Sequence, residues 1–106
     1  MANSPIRFRV GELVRHLRFG YRGVVFDVDE AFRGTDEWYE QVARSRPPRD
    51  RPWYHVIVDG AAHTTYVADR HLEADLSAEP IESPLVAAVF ERFDFERGRY
   101  VRPAVH

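Results

Sequence analysis

The chain has 106 residues, 44% hydrophobic and 13% aromatic, which suits one compact domain and excludes two separate cores or wholesale disorder. Cysteine is absent, which excludes a disulfide framework, thiolate zinc sites and a cysteine nucleophile. The formal net charge of −2 gives no whole-molecule attraction for nucleic acid, but residues 5–25 carry Arg7, Arg9, Arg15, Arg18 and Arg22 against Glu12, and residues 56–84 carry six carboxylates against Arg70.

The N-terminal stretch MANSPIRFRVGELV holds no apolar run fit for a leader, and no segment approaches the ~20 apolar residues of a membrane span. The expectation is a soluble cytoplasmic protein with no membrane partner. Glu12 to Arg18 alternates as a strand, with Leu13, Arg15 and Leu17 on one side and Val14, His16 and Arg18 on the other. Phe19-Gly20-Tyr21-Arg22-Gly23 then places two glycines where positive φ or close backbone approach is cheap, and Val24 to Asp29 completes a hairpin. Strict period two puts Val24, Phe26 and Val28 on the core face and Val25, Asp27 and Asp29 on the other.

Thr35 as cap, Asp36 and Glu37 in the first turn and Arg44 and Arg46 near the end predict a helix of about three turns over 35–46, stopped by Pro47-Pro48. Trp53 to Asp59 and His63 to Ala68 read as strands around a turn at Gly60, Asp69 to His71 as one helical turn, and Leu72 to Leu76 as a short closing strand. Five short strands with one inserted helix predict a mainly β fold, a small SH3-like antiparallel β-barrel, over residues 1–76. Residues 77–106 read as a linker and a helical tail. Ser83 and Pro84 open an amphipathic helix over Pro84 to Phe93, whose Leu85, Val86, Val89, Phe90 and Phe93 stripe must pack on the barrel or on a second copy as a homo-oligomer.

Four blocks in order, Val-Gly-Glu-Leu-Val-Arg-His (10–16), Gly-Tyr-Arg-Gly-Val-Val-Phe-Asp-Val-Asp (20–29), Trp-Tyr-His-Val (53–56) and His-Thr-Thr-Tyr-Val-Ala-Asp-Arg-His-Leu (63–72), carry a resemblance over residues 8–76. They resemble the YccV-like hemimethylated-DNA-binding family, which includes the heat-shock protein HspQ. The resemblance implies an SH3-like barrel and binding to hemimethylated DNA. For the heat-shock members it also implies a stress-response role as a protease adaptor or stimulating factor, delivering clients to the Lon protease.

Arg7, Arg9, Arg15, Arg18 and Arg22 are the DNA-binding candidates, because arginine suits phosphate and guanine edges; the alternative is a solvated basic face. Trp53, His55 and His63 are the candidate interaction surface. Trp53, His55 and Ile57 share one face of their strand and Tyr54, Val56 and Val58 the other, so Trp53 is either an exposed stacking platform or core beneath the helix. Tyr66 reads as a core or hydrogen-bonded residue. His16, His55, His63 and His71 lack ligand spacing, so no metal and no cofactor is expected. Asp27, Asp29 and Glu30 read as an exposed hairpin end, and no catalytic motif occurs, so the expectation is a non-enzymatic module with no catalytic residue.

Overall fold

Strands β1 (Leu13–His16) and β2 (Arg22–Asp29) form the expected hairpin, with Leu13 opposite Val24 and Arg15 opposite Arg22. Gly20 turns the chain at φ +77°, and Gly23 lies so close to β3 that a Cβ there would meet the Ile57 carbonyl at 2.6 Å. The computed structural model describes residues 5–104; residues 1–4 and 105–106, the outermost residues of the two expected segments, lie outside it.

Helix α1 (Asp36–Val42) follows, then β3 (Trp53–Val58), β4 (Thr64–Ala68), a 3-10 turn (Asp69–His71) and β5 (Leu72–Ala74). Thr35 caps α1, its Oγ1 accepting the Trp38 N–H at 3.0 Å. The helix is shorter than the expected 35–46. Ala43 has left helical geometry at ψ 64°, and Arg46, just before Pro47, adopts φ +52°, outside the helical region that proline disfavours for the residue before it. Arg44 and Arg46 therefore lie beyond the helix, and Arg46 pairs with Glu40 instead.

The five strands form one antiparallel sheet in the order β4-β3-β2-β1-β5. The pairing shows an open sheet with β4 and β5 as its edges; a closed barrel is not what it displays. Val67 of β4 and Leu72 of β5 nevertheless share one buried cluster with Phe8, Val14, Val25, Tyr54 and Val56, so the sheet wraps around this core. Tyr54 anchors it further: its hydroxyl donates to Asp69 at 2.9 Å, and burial pushes its pKa up to about 12.

The period-two reading of β2 fails at Phe26. Val25 faces Val56 and Asp27 faces His55, leaving Phe26 as the extra residue of a bulge. Val28 therefore packs with Val25 on the inner core, while Phe26 joins Val24 on the outer face.

That outer face has two covers. Helix α1 lays Tyr39 and Ala43 over Trp53 and Ala68. The tail covers Leu13, Val24 and Ile57 with Ile81, Phe90 and Tyr100. The expected helix over Pro84 to Phe93 is not formed: α2 spans Val86–Val89 only, Phe90 is extended at ψ 147°, and β6 (Arg92–Asp94) pairs with β7 (Arg99–Val101). The Asp94 carboxylate accepts the Glu96 and Arg97 amides and Gly98 sits at φ +66°, a turn chemistry that outcompetes helix propagation. The apolar stripe itself packs in cis, with Leu85, Val86, Val89 and Phe93 around the same cluster. Among the described residues no helix is long and apolar enough to cross a membrane.

Candidate functional site

A cleft of about 570 Å3 opens beside the edge strand β4. The sheet contributes Trp53, His55 and Tyr66, helix α1 contributes Trp38 and Val42, and the segment after it Arg44 and Ser45. The β1–β2 turn supplies His16, Arg18 and Phe19, and the 3-10 turn supplies His71. Among the described residues no aspartate or glutamate lines this cleft, and its charged members are Arg18 and Arg44.

The turn wall is rigidly built. His16 Nδ1 accepts the Arg18 and Phe19 amides, both at 3.1 Å, so the ring proton sits on Nε2. No hydrogen-bond partner for that Nε2 occurs among the described residues. The His16 ring stacks on Phe19 at 4.7 Å and lies nearly parallel to His71 at 5.8 Å. Burial, then the positive fields of His71 and Arg18, hold the His16 pKa below 6.5. His71 is lowered as well, by burial and by Arg70 and Arg18, and its Nε2 meets Ser45 Oγ at 2.8 Å. Phe19 itself is 71% exposed at the turn.

On the sheet side, Asp29 accepts the Tyr66 hydroxyl at 2.7 Å and meets His55 Nε2 at 3.1 Å. Burial first, and the bond to Asp29 second, raise the Tyr66 pKa, so it stays a neutral donor. Its ring lies 4.5 Å from His55 and 5.1 Å from Trp53. The bulge at Phe26 sets Asp27 and Asp29 on the His55 side, where one ligand atom from each of the three lies within 4.8 Å of the others. These are the residues that could hold a cation. Their donors are instead turned on one another and on Tyr66, and Asp27 accepts the Val28 amide at 2.9 Å.

The five arginines are differently engaged, and Arg15 and Arg22 face each other across the β1–β2 hairpin. Arg7 is spent on the 3-10 turn, with Nε on the Asp69 carboxylate at 3.1 Å and a further nitrogen on the Leu72 carbonyl at 2.8 Å. Arg22 is spent on the tail: Nε meets Asp75 at 2.8 Å and the far nitrogen meets Ser77 Oγ at 3.0 Å. Burial alone would raise Asp75, but the bonds from Ser77 and Arg22 outweigh it and hold its pKa low. Arg9, Arg15 and Arg18 are exposed, and of the five only Arg18 lines the cleft.

Trp53 as an exposed platform is corrected by its 1% exposure beneath Phe32, Trp38 and Tyr39. His55 does line the cleft, whereas His63 lies exposed just before β4 and does not. Sequence reasoning missed Phe19, Trp38 and Arg44. An aromatic next to a turn glycine signalled the first, but the helix shortening that frees Arg44 had no local signal beyond Pro47. The family model described as Hemimethylated DNA-binding protein YccV like matches residues 6–97, running past Leu76 into the tail that covers the sheet. With most of the chain spanned by that one model, the protein belongs to the YccV-like family.

Proposed function

We propose that this protein is a non-enzymatic module that binds duplex DNA, hemimethylated duplex in preference, through the cleft beside β4. The observation that carries the reading is the cleft's lining, with Arg18 and Arg44 as its charged side chains beside aromatic rings. Family membership supports it. Arg18 and Arg44 contact phosphates at the cleft, Arg9 and Arg15 add exposed positive charge, and Arg7 and Arg22 serve the fold. Fluorescence anisotropy with methylated, hemimethylated and unmethylated duplexes at two salt concentrations tests this. Binding should weaken steeply with salt and favour the hemimethylated duplex. Equal binding of all three removes the specificity, and no binding at low salt removes the function.

The exposed Leu17, Phe19 and Val42 favour a second reading, a docking surface by which the protein delivers clients to the Lon protease. Turnover of a Lon substrate with and without this protein tests it; unchanged turnover over a broad concentration range sinks it.

A further inference from the structure

The turn that carries Arg18 and Phe19 projects an exposed aromatic ring, backed by His16, beside a concave, ring-lined space, and a DNA surface of stacked pairs fits neither. Phe19 is 71% exposed although it is apolar, and its neighbour Leu17 is 55% exposed. Apolar side chains presented this way act as wedges between base steps, taking the place of a base in the stack. Behind the wedge, the cleft of about 570 Å3 falls in the range that receives small organic ligands. Its wall offers the partly exposed rings of Tyr66 and Trp38 for stacking. It also offers a fixed donor, His16 Nε2–H, whose tautomer is dictated by the two amides on Nδ1.

We propose that the cleft receives one nucleobase swung out of the duplex, with Phe19 filling the vacated place in the stack and Arg18 and Arg44 holding the flanking phosphates. This rests on the DNA-binding reading above and says how that reading discriminates the methylated position. A base that must enter a cleft is read by its own edge and its methyl group, contacts that an intact duplex only partly exposes. An apolar peptide side chain would gain from the rings, but nothing in it answers the two arginines and the absent carboxylates.

A flipped base is released more easily from a mismatch than from a pair, so affinity for a duplex mismatched at the methylated position should exceed that for the paired duplex by about tenfold or more. Two variants separate flipping from simple duplex flexibility. Thr64→Trp fills the cleft from an exposed strand position where an aromatic residue is well tolerated, and Phe19→Ala removes the wedge. Both should lose the mismatch preference at an unchanged thermal midpoint. Equal affinity of wild type for paired and mismatched duplexes overturns the inference and leaves DNA binding standing. So does a preference that survives in both variants. Failure to bind any duplex overturns both readings.

Discussion

Tyr100 and Ile81 hold each other by a reciprocal pair of bonds: the Ile81 amide donates to the Tyr100 hydroxyl at 3.0 Å, and that hydroxyl donates to the Ile81 carbonyl at 3.1 Å. Both residues are buried over Leu13, Val24 and Ile57, so this pair ties two stretches of the tail together where they lie on the sheet. The Tyr100 amide also bonds Gly11 O at 2.8 Å, where the glycine's φ of +99° and a Cβ position 2.2 Å from Tyr100 O leave room for no side chain.

Tyr100→Phe keeps the ring and leaves both Ile81 main-chain groups unpaired in a dry site. The expected loss is about 2 kcal/mol. Thermal unfolding should show a midpoint lowered by roughly 8–16 °C, at ~4–8 °C per kcal/mol for a domain of this size. An unchanged midpoint would mean that the two stretches of the tail are not tied there.

Stability should fall on acidification between pH 7 and 5. His16 and His71 both have folded-state pKa values below 6.5. Below pH 6.5 the unfolded chain therefore binds more protons than the folded one. Their contribution is complete above pH 6.5 and is lost as pH falls through the lowered folded values. Protonation at His16 also turns an acceptor of two amides into a donor facing them. Urea midpoints at pH 7.5 and 5.0 check this, and His16→Leu should shrink the difference. Asp75 acts in a separate window, its lowered pKa giving stability that is lost only below about pH 4.

Arg22 and Arg18 should part in their effects. Arg22→Ala strips the guanidinium from Asp75, whose side chain is 5% exposed, and should cost about 3 kcal/mol in a denaturant titration. Arg18→Ala should leave stability within about 0.5 kcal/mol and lower the salt slope of DNA binding by about one. The reverse pattern would place the phosphate contact on Arg22.

Strand β3 and the 3-10 turn were legible because local signals agree there: an unbroken β-branched and aromatic run, then Asp69-Arg70-His71 at the sheet corner. The Trp53 and Tyr54 faces followed from period two alone. Two features were not legible. In the tail, Leu85 to Phe93 carries a helical period that the Asp94 turn overrides, a choice made by the hairpin's docking on Leu13 and Ile57. At the site, the cleft joins Phe19, Trp38, Tyr66 and His71 from four separate elements, and no local pattern records that closure. The arginine count proved a poor guide for the same reason, since Arg7 and Arg22 find carboxylates far along the chain.

The bulge at Phe26 makes the length of β2 uneven in its tolerance. With Val25 already opposite Val56 and Asp27 opposite His55, a chain lacking Phe26 would run as an unbroken ladder with every other partner retained. Val28 would stay inward and Asp29 would stay beside His55 and Tyr66. Losing Val25 instead would leave Phe26 to take its place on the inner core, a larger side chain in a closed space. One strand thus carries a spare link beside a link that has no substitute. The deletion lacking Phe26 should fold with native-like hydrogen exchange in β2 and β3, and the one lacking Val25 should not.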